Sequence, residues 1–316
     1  MKELGCFDYF AIFLGVYVLV PKLYQIWMII YTSFIVQKKD LKVLYGADSW
    51  ALITGCTSGI GEELAHRIAQ QGLNIILISR SLDKLTKVEN DILKKCPQIK
   101  TLKVIADYAN GGETLEFYKK IYAQIKDLDI SIVVNNAGIL YSEYYRQLNI
   151  SQIMEMAIVN TYPYILFNHL ILKKLQQRSL KKQTALLNVS SSISFVAGPY
   201  QQIYGCTKKF ERYFTEALRQ ENKKEYPNLE VICVTPMYVS TQMTNNLSTK
   251  EFGVVNAEQY VEGVLKVFGN LNHIFGPMIH QVQGYFTNIF FELSHYYRLS
   301  LHIVNHIIYN ECQKMK

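Results

Sequence analysis

Residues 51–61 read A-L-I-T-G-C-T-S-G-I-G, an apolar run that passes directly into a turn with three glycines. A helical pattern follows over residues 62–71. Glycines at a strand-to-helix turn let the backbone approach a pyrophosphate, and free N–H groups at the helix N-terminus meet its charge. A tight turn without a ligand has the same glycines, but the strand before it and the helix after it favour a dinucleotide site. The predicted contacts are Gly55, Ser58, Gly59, Ile60 and Gly61.

The residue at position 80 predicts which dinucleotide binds. The second apolar run ends at Ile78-Ser79-Arg80. An acidic residue there would bind the ribose 2′-hydroxyl of NAD(H), whereas an arginine meets the 2′-phosphate of NADP(H) with charge-assisted hydrogen bonds. The sequence therefore predicts NADP(H), with a solvated loop arginine as the alternative interpretation of Arg80.

Outward from the glycine turn, runs of Ile, Val and Leu alternate with longer helical patterns. Continuous apolar strands separated by helices are typical of a parallel sheet covered on both faces, so the fold class is a doubly wound, Rossmann-like α/β sheet. Residues 47–270 contain no internal repeat and no Gly/Ser linker, which predicts one dinucleotide-binding domain. The strands are predicted at residues 51–53, 75–78, 103–106, 130–134, 185–189 and 230–234.

The composition excludes several classes of protein. Of the 316 residues, 49% are hydrophobic and 19% are charged, which is typical of a globular chain and not of a disordered one. The net charge of +7 comes from scattered lysines and arginines, so nucleic acid is not a predicted partner. The six cysteines stand far apart, which predicts reduced thiols and no zinc ribbon.

The N-terminal residues 1–46 predict a membrane segment and a basic linker. The run from Tyr9 to Val36 is almost wholly apolar and exceeds the roughly 20 residues that one span needs. A lysine-rich stretch follows at residues 37–42, which places the rest of the chain in the cytosol by the positive-inside tendency. A hairpin turning at Pro21, or a pair of core helices in a soluble protein, are the alternatives.

The C-terminal residues 271–316 form an aromatic, histidine-rich region that we expect to be helical. Such a region packs over a substrate cleft or rests on a membrane surface. His302 and His306 have the spacing of helical metal ligands, but no carboxylate or cysteine completes a set, so no metal site is predicted. The aromatic residues are Phe275, Tyr285, Phe286, Phe290, Phe291, Tyr296 and Tyr297, and the other histidines are His273, His280 and His295.

Further polar motifs follow the later strands. They are Asn135-Asn136-Ala137-Gly138, Asn160, Ser190-Ser191-Ser192 and Tyr204-Gly-Cys-Thr-Lys208. With the glycine turn, this order of motifs resembles the short-chain dehydrogenase/reductase family, and Ser191 stands at the family's spacing before the tyrosine. The resemblance covers residues 50–245 and implies an oxidoreductase.

The spacing of Tyr204 and Lys208 explains the chemistry that the resemblance implies. Residues i and i+4 lie on one helix face, so the ammonium stabilises a phenolate that would otherwise form only near pH 10. Tyr204 would then donate a proton to a carbonyl oxygen, Ser191 would hold that oxygen, and Lys208 would also bond the nicotinamide ribose. Similarity to the family adds Asn160, which would hold a water that relays protons to Lys208.

The resemblance also implies cofactor contacts elsewhere. Asp107 matches the aspartate that bonds the adenine ring, and Asn136 matches the residue that borders the adenosine ribose. Val239 and Thr241 match residues that contact the carboxamide, although Met237 replaces the family's glycine before them.

Within the family, the chain is similar to the membrane-bound branch of 17-beta-hydroxysteroid dehydrogenases types 3 and 12 and very-long-chain 3-oxoacyl-CoA reductases. That similarity implies an endoplasmic reticulum protein that reduces a ketone on a lipid-like substrate with NADPH. A 3-oxoacyl-CoA is the first substrate hypothesis and a 17-ketosteroid the second; a non-catalytic, nucleotide-binding membrane scaffold is the alternative from another class. The family also implies a homodimer formed through the helices that carry Asn160 and Tyr204.

Overall fold

The computed structural model describes residues 5–296. Its strands are β1 (Trp50–Thr54), β2 (Asn74–Ser79), β3 (Thr101–Ile105), β4 (Ile130–Asn135), β5 (Thr184–Val189), β6 (Leu229–Val234), β7 (Val239–Ser240), β8 (Val255–Asn256) and β9 (His273–Ile274). Among these residues a parallel sheet has the order β3-β2-β1-β4-β5-β6-β9, and β7 pairs with β8 beside it. The doubly wound α/β prediction is confirmed, and all six predicted strands are present.

Helices connect these strands and cover both faces of the sheet. They are α1 (Cys6–Ile30), α2 (Leu41–Tyr45), α3 (Gly59–Gln70), α4 (Leu82–Lys95), α5 (Leu115–Ile125), α6 (Ile150–Tyr162), α7 (Asn168–Ser179), α8 (Gln202–Asn222), α9 (Ala257–Val267) and α10 (Met278–Tyr296). Two π-helical segments, Tyr31–Ile35 and Pro163–Phe167, extend α1 and join α6 to α7. A short 3₁₀ turn, Ser192–Phe195, follows β5.

The core consists of two apolar layers, one on each face of the sheet. Successive strand residues point to opposite faces, so Ile53 packs in one layer and Leu52 in the other. The first layer includes residues of α3, α4 and α9, and the second includes residues of α5, α7 and α8. Burial on both faces explains why the strands are almost uniformly apolar.

The βα turn after β1 requires glycine for two reasons. Gly55 and Gly59 have φ angles of 65° and 59°, in the left-handed region that favours glycine. At Gly61 a Cβ would stand 2.4 Å from the Gly55 carbonyl oxygen and 2.3 Å from the Asn136 side-chain nitrogen. The turn is therefore closed against β4, and α3 begins at Gly59, three residues before the predicted start.

The N-terminal helix leaves the body of the fold. It runs without interruption from Cys6 to Ile35, through Pro21, and is long and apolar enough to cross a membrane. At 1.5 Å per residue its length is about 45 Å. Its last turns contact the domain, because Thr32 donates a hydrogen bond of 2.6 Å to the Gln281 side chain and Lys266 donates one to the Ser33 carbonyl. The continuous helix has no hairpin at Pro21.

The predicted division of the chain at residues 46 and 270 stays a prediction. Leu41 and Tyr45 of α2 are buried in the core, and β9 joins the sheet after residue 270. The helical expectation for the C-terminal region holds over α10. Tyr297, His302 and His306 lie outside the described residues.

Gly61→Ala should lower the free energy of unfolding by about 1–3 kcal/mol, because its Cβ collides with backbone that cannot yield. Gly205→Ala is the matched control. It is also a helical glycine, but its Cβ would lie 3.5 Å from Ile193, an ordinary contact, so that variant should be as stable as wild type or more so. Chemical denaturation in detergent measures both, and equal stabilities for the two variants would contradict the close packing of this turn.

Candidate active site

A cleft of about 280 Å³ lies at the carboxyl ends of the parallel strands. Ligands of open α/β sheets bind at this edge. The cleft is lined by eight of the predicted cofactor contacts, namely Gly55, Ser58, Gly59, Ile60, Arg80, Asp107, Asn136 and Thr241. Gly61 lies beneath the turn, and Val239 is buried in the core, outside the cleft lining within residues 5–296.

Asn136 holds the glycine turn in place. Its side-chain nitrogen donates hydrogen bonds to the carbonyl oxygens of Thr54 (3.0 Å) and Gly55 (3.2 Å). The backbone N–H groups of Asn136 and Ala137 both donate to the Thr54 hydroxyl at 3.0 Å. These bonds fasten the end of β4 to the end of β1, so Asn136 shapes the cleft as well as lining it.

The end of β2 supplies positive charge to the cleft. Arg80 is exposed and lines it together with Lys84, which lies in the first turn of α4. Sequence reasoning missed Lys84, although it stands one helical turn after Arg80. Asp107, at the end of β3, accepts hydrogen bonds from the Ala109 N–H (3.2 Å) and the Asn110 side chain (2.7 Å).

Tyr204 and Lys208 lie on the buried face of α8, as their spacing predicts. Their exposed fractions are 7% and 3%, and the Lys208 Nζ lies 5.6 Å from the centre of the Tyr204 ring. The Tyr204 hydroxyl is 4.0 Å from the sulfur of Met243, which lines the cleft. The phenol therefore stands directly behind the edge of the cleft.

The pKa of the Tyr204 phenol reflects opposing influences. Burial raises it, Lys208 lowers it, Glu211 raises it, and a hydrogen bond from Ser191 lowers it; on balance the pKa lies above its ordinary value. Burial lowers the pKa of the Lys208 ammonium, but Glu211 and Tyr204 more than offset this, and the ammonium stays protonated.

The neighbouring serines have different partners. Ser191 lies close enough to the Tyr204 hydroxyl to lower its pKa, and its own hydroxyl accepts from the Ile193 N–H at 3.4 Å. Ser190 is buried and donates to the Lys208 carbonyl oxygen at 2.6 Å. Ser191 is therefore the serine of the triplet that the structure brings to the phenol, in agreement with the spacing in the sequence.

Asn160 is fully buried beside the lysine without bonding it. Its side chain accepts from the Ile139 N–H at 2.9 Å and donates to the Ile139 carbonyl and the Thr207 hydroxyl. A Cβ on Gly138 would stand 3.4 Å from both the Asn160 Oδ1 and the Lys208 Nζ. The absence of a side chain at Gly138 thus leaves these two polar atoms facing the same space.

Glu211 is a charged neighbour of Lys208 that lies outside the sequence motifs. Both of its carboxylate oxygens accept hydrogen bonds from the Lys208 Nζ, at 2.9 and 3.0 Å, and its exposed fraction is 0%. Its spacing in the sequence could have indicated this contact, because Glu211 stands three residues after Lys208 on the helix face that includes Tyr204.

Apolar side chains form a wall beside the phenol. Leu148 and Met156 pack with Tyr204 in a cluster that also includes Leu140 and Ile193. Tyr141 belongs to this wall, and its hydroxyl donates a hydrogen bond of 2.7 Å to Glu155.

The residues present fit a dinucleotide with a 2′-phosphate. Side chains at Gly55 and Gly59 would collide with Ala137 and Thr241, each at 2.9 Å, so both positions require glycine. The backbone of these glycines lines the cleft, where a pyrophosphate would lie. Arg80 after β2 and Lys84 in the first turn of α4 carry positive charges that would pair with the 2′-phosphate.

Comparison with known proteins agrees with this geometry. The family described as short chain dehydrogenase matches residues 49–251. The chain belongs to the short-chain dehydrogenase family. A very-long-chain 3-oxoacyl-CoA reductase of Anas platyrhynchos is 31% identical over 248 residues, which cover 77% of this chain and 76% of the relative. A hydroxysteroid dehydrogenase-like protein of Gallus gallus is also 31% identical, over 77% of this chain and 72% of the relative.

Solved structures of short-chain dehydrogenases share the fold. A short-chain dehydrogenase from Sphingobium yanoikuyae, solved in complex with NADPH, superposes with a TM-score of 0.64 at 22% identity. The match covers 72% of this chain and 87% of that structure.

Lys208→Met should destabilise this short-chain dehydrogenase by about 3–5 kcal/mol, because it leaves the Glu211 carboxylate buried without a cation. Adding Glu211→Leu removes that charge, and the double variant should regain most of the loss. Denaturation curves at mildly alkaline pH, above the pKa of about 8 to which burial raises Glu211, measure both effects. A double variant that is no more stable than the single one would mean that the pair is not a buried ion pair.

Proposed function

We propose that the chain is an NADPH-dependent reductase of a ketone on a lipid-like substrate, a very-long-chain 3-oxoacyl-CoA in fatty-acid elongation. The observation that carries the proposal is the buried Tyr204 phenol at the edge of the cleft, with Lys208 and Ser191 beside it. A phenol between an ammonium and a hydroxyl donor is equipped to give a proton to a carbonyl oxygen.

NADP(H) is the cofactor that the cleft residues would hold. The glycine turn and Ser58 would meet the pyrophosphate, Arg80 and Lys84 the 2′-phosphate, and Asp107 the adenine. Thr241 would border the carboxamide; Val239 would act from behind it, since its side chain is buried. When bound, NADPH supplies the hydride that reduces the carbonyl carbon.

The protein's own groups handle the proton. Tyr204 gives its proton to the carbonyl oxygen as that oxygen gains negative charge, and Ser191 donates a hydrogen bond to the same oxygen. Lys208 stabilises the phenolate that remains. Asn160 and Gly138 frame the space through which a water would return the proton toward Lys208.

The substrate assignment has separate support. The partly buried Leu140 and Ile193 beside Tyr204 suit an apolar body next to the carbonyl, and the relative from Anas platyrhynchos carries the name of this activity. A long acyl chain is delivered from a bilayer, which agrees with an anchoring helix at residues 6–35. We propose that the protein lies in the endoplasmic reticulum membrane with the catalytic domain in the cytosol; a homodimer stays a prediction.

A 17-beta-hydroxysteroid dehydrogenase is the second candidate, favoured by the name of the relative from Gallus gallus. The two substrates differ in the apolar body, not in the carbonyl. Full-length protein in detergent, supplied with NADPH, should turn over a long-chain 3-oxoacyl-CoA with a kcat/KM at least about tenfold above that for a 17-ketosteroid. A higher kcat/KM for the 17-ketosteroid would favour the steroid dehydrogenase instead. NADPH binding without turnover of either substrate would favour a non-catalytic scaffold.

Tyr204→Phe should lower kcat by about 10²–10⁴-fold, because the general acid is lost while the ring still packs in the wall. The dissociation constant for NADPH, measured by fluorescence titration, should stay within about threefold of wild type. A variant that keeps full turnover would show that another group supplies the proton.

Arg80→Asp should weaken NADPH binding by about 10–100-fold, because it replaces a donor to the 2′-phosphate by a repelling charge. Binding of NADH should weaken less. Lys119→Asp makes the same charge change on the exposed face of α5 and serves as the control. If the Arg80 variant lost affinity for NADPH and NADH equally, Arg80 would not be the residue that distinguishes the two cofactors.

A further inference from the structure

The ammonium of Lys208 has a fixed set of partners inside the fold. It donates to both Glu211 oxygens, at 2.9 and 3.0 Å, and to the Val189 carbonyl oxygen at 3.0 Å. These three acceptors match the three donors of an ammonium, so a bond from Lys208 to a nicotinamide ribose or to a water would replace one of them. The lysine is therefore held against the end of β5, and its partner is a carboxyl group that solvent does not reach. Burial raises the pKa of the Glu211 carboxyl to about 8 and Lys208 lowers it, so Glu211 is an anion in the alkaline range where Tyr204 titrates.

The pairing changes what Tyr204 experiences. An isolated ammonium favours the phenolate, whereas a carboxylate beside the ammonium offsets part of that effect. Burial raises the pKa of the Tyr204 phenol most, Lys208 lowers it, and Glu211 raises it and so offsets part of the effect of Lys208.

Cys233, Tyr164 and Arg212, which lie near Lys208 or Glu211, carry no negative charge that could replace the charge of Glu211. Burial raises the pKa of the Cys233 thiol on β6 to about 12, and burial raises the pKa of Tyr164 well above its usual value, so both stay neutral. Arg212 on α8 lies over the ring of Phe195, 4.3 Å from its centre. The buried face of α8 also carries the neutral hydroxyl of Thr215, which donates to the Glu211 carbonyl oxygen at 2.6 Å.

We propose that Glu211 is a positioning residue that holds the Lys208 ammonium against β5 and offsets its charge, so that Tyr204 remains a protonated phenol over a wider pH range. Reduction of a ketone needs the phenol, whereas oxidation of an alcohol needs the phenolate. Glu211 therefore adapts the site to the reductive direction. The functional consequence rests on the proposed reductase activity, but the electrostatic part does not.

Glu211→Gln tests the proposal, because glutamine keeps the shape and an acceptor for Lys208 while removing the charge. The titration of Tyr204 is followed by NMR on full-length protein carrying carbon-13 tyrosine, in detergent and without cofactor or substrate. The Tyr204 signal is the one that disappears in Tyr204→Phe. In Glu211→Gln it should begin to titrate roughly one to two pH units lower than in wild type, the effect of one nearby charge at an effective dielectric constant near 20.

Two further variants separate charge from structure. Glu216→Gln removes a negative charge from the exposed side of α8, where Glu216 bonds Arg219, and should leave the titration of Tyr204 unchanged. Glu211→Asp keeps the charge in a shorter side chain and should keep the wild-type titration. An unchanged Tyr204 titration in Glu211→Gln, or the same shift in Glu211→Asp as in Glu211→Gln, would overturn the proposal.

The pH dependence of turnover gives a second readout. The alkaline limb of kcat for ketone reduction should move to lower pH in Glu211→Gln by the same amount as the NMR titration. A shifted NMR titration in a protein that reduces no ketone would refute the proposed function and leave the role of Glu211 standing. An active reductase with an unshifted NMR titration would support the proposed function and refute the role of Glu211.

Discussion

A buried ion pair on the inner face of α8 is the interaction on which the site depends. An ammonium cannot be removed from water without partners, and Lys208 finds them in Glu211 and in the Val189 carbonyl at the end of β5. These bonds tie the helix to the sheet at one point. Because Tyr204 lies one turn away on the same face, fixing Lys208 also fixes the phenol at the edge of the cleft.

The parallel sheet explains why the other site residues meet the phenol. Parallel strands bring their carboxyl ends to one edge, so the turn after β1, Arg80 after β2 and Ser191 after β5 converge although they are far apart in sequence. The glycines close the turn against β4 through Asn136. The segment that extends α1 is joined to α10 by the bond from Thr32 to Gln281, so the apolar N-terminal helix has a fixed contact with the domain.

The sequence was sufficient where a physical pattern repeats or a motif has a required spacing. Six strands, the glycine turn and the shared helix face of Tyr204 and Lys208 follow from such patterns. β9 was missed because His273–Ile274 is too short to show a period, and the motif around Val239 did not indicate that its side chain is buried in the core. Glu211 and Lys84 lie outside the family's motifs; their spacing from Lys208 and Arg80 is suggestive, but the structure is needed to show that Glu211 bonds Lys208 and that Lys84 lines the cleft.

The most direct test of the account is isotope transfer. NADPH carrying deuterium at the transferable position of the nicotinamide is incubated with the full-length protein and a long-chain 3-oxoacyl-CoA, and the product is analysed by mass spectrometry. The account predicts a 3-hydroxyacyl-CoA that carries one deuterium on the carbon of the former carbonyl. A hydroxyacyl product without deuterium, or no product while NADPH is bound, would contradict it.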